Sequence, residues 1–429
     1  MRNNIRFDLS DYLIHFFRDV DLESDSHIDF PEFCGFNNLH HSSRLDALFL
    51  MRIALRHGKL FASWSYRNGL RTIYGNCPTV CFTDMPLAAF IQTSEERLSR
   101  GEKISNYAFL FPKKDMFKLG ARPVIYGLAG LNLPYISPNI EGERTLDSAL
   151  LPVHEQYRYV TYNPVSSRPI DWTHEREWRW PYTESIDEFR HNLYEEGVIE
   201  DFSSHPAFYF INSDIEDCGV IVKTESDKNK VLFDILTIID RGVISKKFFS
   251  FIISLDQLGC SANFISPSAM SELINKNAIN IDDFFKISRK TAIINRDLIT
   301  KIVNSEFSNE DWNIPNYANE VGKSWVWFIS NQTNLVRSLI KMKLIRVNRE
   351  GRYLLDIDPL LNSEYPLESY PLKMQEEICK KIALSLTERF GVNCTYFSVA
   401  FSDNFDNLPY YTNFIDNHEF YNETIECDW

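Results

Sequence analysis

The chain has 429 residues, of which 44 % are hydrophobic and 14 % are aromatic. This length and composition exclude an intrinsically disordered protein and predict two or three packed domains. The net charge of −14 argues against unaided binding to a phosphate backbone, because such binding depends on Lys and Arg side chains that displace counterions. After Arg389 the sequence contains no Lys or Arg, so an N-terminal region can still present a locally basic groove.

Neither a membrane protein nor a metal site is expected. No apolar run approaches the roughly 18 residues that span a bilayer, and the first residues lack the apolar core of a signal peptide. We therefore expect a cytoplasmic protein. The eight cysteines are scattered singly apart from Cys77 and Cys81, which predicts free thiols and not a zinc site.

The first two predicted elements are helices. One covers residues 8–17. The other follows a Ser pair at 42–43 that is suited to cap a helix, and it ends at Gly58, since glycine commonly ends helices. His41 lies at the start of this second helix, where a side chain can reach a bound phosphate or ribose; a capping or surface role is the alternative.

A series of short strands and one helix follows. Thr83 and Asp84 lie at the end of a strand, where a hydroxyl and a carboxylate can face a pocket; alternatively they cap the helix that begins at Pro86. The elements predicted here are strands at 59–64, 78–86, 107–111, 122–127 and 157–162, a helix at 86–100, and a long loop at 128–158 with a helix near 145–156.

The stretch with the clearest chemistry is residues 171–180, Asp-Trp-Thr-His-Glu-Arg-Glu-Trp-Arg-Trp. If this run is extended, Glu175, Glu177 and Arg179 share one face, because side chains alternate along a strand. Two carboxylates on one face are costly for a purely structural strand, since like charges repel each other. Such a pair can stabilise a sugar cation and deprotonate an attacking group where a glycosidic bond is broken. An exposed, salt-bridged strand edge or helix surface is the alternative.

The chain is expected to divide into three parts. Alternating strands and helices suit an α+β domain over residues 1–260. Residues 261–310 are predicted to be a helical connector, and residues 311–429 a smaller α+β accessory or interaction domain. A helix followed by a hairpin at 333–357 has the order of a winged helix, but no basic recognition face follows, so DNA binding is not predicted from it.

Four motifs suggest a family. They are His40-His41-Ser-Ser with the helix that ends in Gly58-Lys-Leu, Val80-Cys-Phe-Thr-Asp-Met-Pro86, Gly120-Ala-Arg-Pro-Val-Ile-Tyr126, and Asp171-Trp-Thr-His-Glu-Arg-Glu-Trp-Arg179. In this order they resemble the AbiGi-type abortive-infection proteins and the related CmdT-like ADP-ribosyltransferase toxins of phage defence. The resemblance covers roughly residues 35–258, and the last motif is the most specific.

The resemblance implies an ADP-ribosyltransferase-like split β-sheet whose cleft holds NAD as a substrate. By this resemblance Glu177 matches the invariant glutamate of the Glu-x-Glu motif, and Glu175 matches the glutamate that positions the acceptor. Thr83 matches the hydroxyl-bearing middle strand, although the usual Ser-Thr-Ser is absent. The remaining implied or candidate NAD contacts are His41, Arg44, Arg67 and Tyr74, with Arg71 as a further choice for the pyrophosphate.

These roles predict a toxin that transfers ADP-ribose from NAD to a macromolecule. Nucleic acid (RNA) is slightly favoured over protein as the acceptor, because the region contains a basic passage made of Lys113, Lys114, Lys118 and Arg122; a solvated surface is the alternative. A toxin implies a neutralising antitoxin or chaperone partner, for which the aromatic and acidic segment 396–429 is a candidate docking surface.

Two alternatives to this enzyme are kept. One is a non-catalytic antitoxin or sensor of the same family, which retains the fold but not the reaction. The other, a nuclease, is less favoured, because the sequence lacks the carboxylate cluster with Lys, or the His pair, that nuclease chemistry requires.

Overall fold

The structure is a computed structural model, and it describes the chain in segments. These are residues 10–21, 44–67, 70–102, 104–128, 135–136, 144–165, 167, 169–186, 206–256, 276, 278–308, 321–363, 366–407 and 409–410. His41, the Ser pair at 42–43 and the predicted docking segment beyond residue 410 lie outside the described residues. None of the helices in the described segments has the length and apolar character needed to cross a membrane.

The architecture is mixed α+β and divides into two compact units. The first unit comprises Met1–Val231 and Lys246–Asn280, and the second comprises Leu232–Ser245 and Ile281–Trp429. Part of the predicted connector therefore belongs to the second unit. The reason is packing, since Ile299 lies in the hydrophobic core of that unit.

The first unit is built on one mixed sheet of eight strands. They are β1 (Tyr12–Phe16), β2 (Thr79–Thr83), β3 (Ala108–Pro112), β4 (Arg122–Pro123), β5 (Glu177–Pro181), β6 (Cys218–Val222), β7 (Phe249–Ser254) and β8 (Ile279–Asn280). Their order is β8-β7-β6-β3-β1-β2-β5-β4, and all neighbours are antiparallel except β6 and β7. Glu177, the first residue of β5, is paired directly with Thr83, the last residue of β2.

Strand β1 shows that the helix predicted over residues 8–17 is wrong. Leu13 and Ile14 point to opposite faces and are both fully buried, so β1 is covered on both sides. A strand of this kind reads as a continuous apolar run, which periodicity alone does not distinguish from a helix. Pairing with β3 along its whole length, from Tyr12 to Phe16, fixes the strand.

The sheet is only loosely joined between β1 and β2. The two strands share one pair of opposed residues, Ile14 and Thr83, whereas β1 and β3 share five. Next to that pair, the His15 side chain of β1 contacts the backbone of β2, with Nδ1 2.9 Å from the carbonyl oxygen of Cys81. Nδ1 carries the proton, because a carbonyl oxygen only accepts. Burial lowers the pKa of His15 to about 4, so the ring is neutral at physiological pH.

The first unit also contains helices α1 (Ala47–His57) and α2 (Leu87–Ser99). The predicted end of α1 at Gly58 is confirmed, and this glycine has the left-handed φ of 67°. The cap at the other end is Asp46, whose side chain accepts the Phe49 N–H, and not the Ser pair. Phe90 of α2 packs into the hydrophobic cluster that contains Ile14 of the central strand.

The other described elements are shorter or belong mainly to the second unit. The helices are α3 (Lys113–Lys118), α4 (Glu225–Asp240), α5 (Arg289–Ser308), α6 (Asn334–Lys341) and α7 (Leu372–Phe390). The 3₁₀ helices are Val153–Arg158, Thr173–Glu175, Phe210–Asn212, Ile281–Phe285, Asp358–Leu360 and Leu367–Ser369. Two-residue strands pair as Val20–Asp21 with Arg44–Leu45, Leu60–Phe61 with Ala207–Phe208, Tyr66–Arg67 with Leu70–Arg71, Ile125–Tyr126 with Tyr159–Val160, and Tyr135–Ile136 with Thr145–Leu146.

The second unit contains a four-stranded antiparallel sheet. Its strands are β9 (Gly322–Phe328), β10 (Ile345–Val347), β11 (Tyr353–Leu355) and β12 (Cys394–Ala400), in the order β10-β11-β9-β12. The predicted order of a helix followed by a hairpin is confirmed by α6, β10 and β11. Apolar residues of α5, α6 and α7 pack together with the sheet in one core, for example Ile302, Val336 and Ile378 with Val326.

Candidate functional site

The turn before β5 carries the two candidate glutamates. Residues 173–175 form a 3₁₀ helix, Arg176 has the left-handed φ of 47°, and β5 begins at Glu177. The motif is therefore extended only from Glu177 onward, and Glu175 does not share a strand face with Glu177. Glu177 and Arg179 do share one face, as predicted, because they lie two residues apart on β5.

Arg179 holds Glu177 through two parallel contacts. Its Nε is 2.7 Å from Oε1, and its Nη2 is 3.1 Å from Oε2. Its Nη1 donates to the carbonyl oxygens of Tyr157 at 2.5 Å and Tyr159 at 3.3 Å. The Arg179 side chain is 6 % exposed, whereas the Glu177 side chain is 21 % exposed. The cation is thus enclosed by protein groups, while the carboxylate it orients keeps access to solvent.

Glu175 is held from helix α2. Arg97 Nη2 is 2.7 Å from Glu175 Oε1, and Arg97 Nε pairs with Glu102 at 2.5 Å. His174 Nε2 lies 3.5 Å from the same Glu175 oxygen. The backbone is fixed as well, since the Thr83 hydroxyl donates to the Glu175 carbonyl oxygen at 2.7 Å. The Glu175 side chain has the same exposed fraction, 21 %, as the other glutamate.

A third carboxylate, Asp84, lies at the end of β2 beside the turn. Its Oδ2 is 2.6 Å from Lys113 Nζ and 3.8 Å from Arg176 Nη2. Its backbone N–H donates to the Arg176 carbonyl oxygen at 2.9 Å. Within the described part of the chain, its buried Oδ1 has no hydrogen-bond partner. Such an oxygen is unusual, and it marks a position suited to a water molecule.

We call Asp84, Glu175 and Glu177 the carboxylate cluster. Their cationic neighbours are Arg97, Lys113, Arg176 and Arg179. Each acid is oriented by at least one cation. Oriented carboxylates with some exposure can stabilise positive charge that develops on a bound molecule, and one of them can accept a proton.

Two neighbouring side chains are affected by the charges of the cluster. Burial raises the pKa of Tyr126, and the negative charges of Glu177 and Glu175 both add to this, so the two acids act on one phenol. Burial also raises the pKa of Cys81 to about 12, with a further contribution from Glu177. The raised pKa favours the protonated Cys81 thiol at neutral pH, whereas the thiolate is the reactive form.

The predicted NAD contacts lie in different environments. His41 is outside the described residues, and so is the side chain of Arg67, whose backbone forms a two-residue strand. Arg44 is largely exposed and pairs with Asp19 at 3.0 Å. Thr83 is buried, and its hydroxyl is engaged within the protein, since it also accepts the N–H of residue 85 at 3.1 Å.

Tyr74 and Arg71 are buried in the protein. The Tyr74 hydroxyl interacts with Arg144, and its ring packs edge-on against Tyr159 at 5.1 Å. Arg71 stacks on Trp64 at 3.9 Å. Among the predicted site residues that are described, the structure therefore brings Thr83, Glu175 and Glu177 together at the ends of β2 and β5.

Three residues of the site could not be assigned to it from the sequence around them. Arg97 reaches Glu175 from 78 residues away, and Tyr126 reaches Glu177 from 51 residues away. Lys113 was predicted only as part of a basic passage, yet it is the ion-pair partner of Asp84. These contacts come from two helices and a short strand that are distant in sequence from their partners, so spacing cannot reveal them.

A separate, small recess lies beside the half-buried His15. It is lined by His15, Phe17, Leu50, Ala54, Lys59, Leu60 and Phe61. The Lys59 Nζ packs over Phe61 at 5.0 Å and over Tyr209 at 5.3 Å. This recess contains no acid of the carboxylate cluster, so we assign the candidate site to the cluster.

The comparisons with known proteins leave the function open. A family model described as a protein of unknown function, DUF4427, matches residues 288–423, which lie in the second unit. No curated protein and no solved structure matches the chain. Among the described residues, no group of three or more His, Cys, Asp or Glu side chains is arranged to hold a metal ion.

Proposed function

We propose that this protein transfers ADP-ribose from NAD to a macromolecular acceptor, and that it acts as a phage-defence toxin of the abortive-infection type. The observation that carries the proposal is the pair of partly exposed glutamates, Glu175 and Glu177, each oriented by its own arginine and both acting on Tyr126. The resemblance of the four sequence motifs to ADP-ribosyltransferase toxins supports the same assignment.

The adjacent strands support the proposal further. The resemblance implies a first strand, a middle strand with a hydroxyl, and a closing strand with a glutamate. Strands β1, β2 and β5 lie side by side in this order, with Thr83 paired to Glu177. His15 on the first strand is half-buried, and its Nδ1 is bound to a carbonyl oxygen, so its assigned role is to hold the sheet and not to bind NAD.

The proposed reaction divides the work between the two acids. The bond from the ribose carbon to nicotinamide breaks, nicotinamide leaves with the electron pair, and a ribosyl cation forms. Glu177 stabilises this cation, an electrostatic effect that is large because Arg179 fixes the carboxylate before the reaction. The acceptor then bonds to the same carbon, and its proton passes to Glu175.

Nucleic acid (RNA) is slightly favoured over protein as the acceptor. Lys114 and Lys118 are exposed on α3, the helix whose first residue, Lys113, pairs with Asp84 of the carboxylate cluster. Cations beside the site attract a phosphate backbone. As a toxin, the protein also requires a partner that neutralises it, for which we propose an antitoxin or chaperone.

A labelling experiment tests the proposal. The protein is incubated with NAD labelled in the ADP-ribose part and with separate pools of RNA, DNA and protein. We expect label transfer by the wild type to one of these pools. The Glu175→Gln variant is expected to release nicotinamide but to lose transfer by about 10²-fold, because water can replace the acceptor but the acceptor is no longer deprotonated. The Glu96→Gln variant, which changes an exposed acid on α2, is the matched control.

One observation favours a second candidate, a non-catalytic antitoxin or sensor. Glu177 is bound through both carboxylate oxygens to a buried arginine, an arrangement that a purely structural ion pair also has. If the wild type neither transfers label nor releases nicotinamide with any pool, the transferase proposal is contradicted and the binding protein is supported.

A further inference from the structure

Tyr126 contacts both ends of the turn that carries Glu175. Its hydroxyl donates to the Trp172 carbonyl oxygen at 3.0 Å, at the start of the turn. The same oxygen accepts the Glu177 N–H at 3.4 Å, at the end of the turn. One phenol oxygen thus joins the two residues that flank the 3₁₀ helix and the left-handed Arg176.

The strand pattern explains why the Glu177 N–H is available to Tyr126. The neighbouring pair, Asp84 and Arg176, is hydrogen bonded across β2 and the turn. Hydrogen-bonded and non-bonded pairs alternate along an antiparallel ladder, so the N–H of Glu177 points away from β2. On that other side the Glu177 carbonyl accepts the Val124 N–H at 3.1 Å, and the phenol meets the Glu177 N–H.

The turn needs such support from outside. Arg176 has a φ of 47°, a conformation that residues other than glycine rarely adopt and that persists only where the surroundings fix it. From the β2 side, Thr83 and Asp84 hold the carbonyl oxygens of Glu175 and Arg176. From the opposite side, Tyr126 holds the two ends.

The geometry points to Tyr126 as a positioning residue, whose hydroxyl sets the distance between the Glu175 and Glu177 carboxylates by fixing the turn between them. Tyr126 does not itself take part in bond breaking. Its catalytic consequence rests on the proposed function, whereas its effect on the turn does not. Burial keeps the phenol protonated, since it raises the pKa of Tyr126 above the ordinary value.

The Tyr126→Phe variant tests this role, because it removes the hydroxyl and keeps the ring. Hydrogen exchange is measured on a peptide that contains residues 172–178 and is resolved to the Glu177 amide. We expect exchange at this amide to become about fivefold faster, the change that the loss of one hydrogen bond produces. Tyr162→Phe is the matched control, since the Tyr162 ring is 40 % exposed, and it should leave this exchange unchanged.

Kinetics supply the second readout. In Tyr126→Phe we expect kcat for transfer to fall about tenfold to hundredfold with KM for NAD within about twofold, because displaced catalytic groups lower the rate more than binding. Exchange at Glu177 equal to the wild type overturns the positioning role. Faster exchange with unchanged transfer overturns its catalytic consequence. If exchange at Glu177 is faster in Tyr126→Phe but the wild type does not react with NAD, the role of Tyr126 in fixing the turn is supported. Only the proposed function is then contradicted.

Discussion

Each unit contains an arginine bound to both oxygens of a carboxylate, and the two pairs differ in the exposure of the acid. In the second unit Arg337 contacts Asp240 at 2.5 and 2.9 Å, and the two side chains are 3 % and 4 % exposed. The Tyr353 hydroxyl donates to the same acid at 2.9 Å. In the first unit Arg179 is similarly enclosed, but the Glu177 side chain is 21 % exposed.

The difference separates a structural ion pair from a candidate functional one. The oxygens of Asp240 are enclosed by protein donors, so a ligand cannot reach them without local opening. Glu177 keeps exposed surface, so a bound molecule can approach it. The same pair of residue types therefore stabilises the core of one unit and orients a reactive group in the other.

Breaking the enclosed pair should have the largest effect on stability. The Arg337→Met variant leaves the Asp240 charge buried without its cation, which is expected to cost about 3–5 kcal/mol of the free energy of unfolding. Urea denaturation of the second unit measures this loss. The double variant Arg337→Met/Asp240→Leu should recover most of it, because the uncompensated charge is gone. A loss below about 1 kcal/mol in the single variant would mean that the pair is not enclosed in solution.

Acidification tests how His15 contributes to the stability of the first unit. The pKa of His15 is about 4 in the folded protein, compared with 6.5 when it is unperturbed. Above pH 6.5 both states are neutral, and below this pH the unfolded state binds the proton first. Stability should therefore fall between pH 6.5 and 4 by about 3 kcal/mol from this residue alone.

The test for His15 compares how steeply the free energy of unfolding falls with decreasing pH in two proteins. Urea denaturation of the wild type and of His15→Gln is followed from pH 7.5 to 4.5. The variant is expected to be less stable at neutral pH, since the contact with the Cys81 carbonyl changes, but to lose less stability on acidification. If stability falls equally steeply with pH in the two proteins, the pKa of His15 is not lowered in the folded state.

Breaking the open pair should have a smaller effect. The Arg179→Met variant leaves Glu177 without its cation, but this carboxylate can turn toward the water that already reaches it, so we expect a loss of about 1–2 kcal/mol in the free energy of unfolding. The difference between the losses of unfolding free energy in Arg179→Met and Arg337→Met is the quantity that tests the comparison. If both substitutions cost the same, the exposure of Glu177 does not distinguish the two pairs.

The sequence predicted those features that depend on short stretches of chain. The end of α1 at Gly58 and the shared face of Glu177 and Arg179 follow from local rules and are present. The strand β1 was wrongly predicted as a helix, because a short apolar run suits either element until its partners are known. The left-handed Arg176 could not be predicted either, since nothing in the sequence marks it.

The contacts that complete the candidate site depend on the tertiary fold. Arg97 reaches the motif from helix α2, and Tyr126 reaches it from the short strand Ile125–Tyr126. His15, which holds the sheet and lies outside the site, gave one weak signal, a histidine inside an apolar run. Residues of this kind become recognisable only when the strand order is known.

The most direct test of the account is the rate at which nicotinamide is released from NAD by the wild type and by Glu177→Gln, with Glu96→Gln as the matched control. Urea denaturation of each variant shows whether the fold is retained. Loss of a preorganised charge is expected to slow release by about 10²–10³-fold in Glu177→Gln and to leave the control unchanged. Release by a folded Glu177→Gln variant at the rate of the wild type would contradict the role assigned to Glu177.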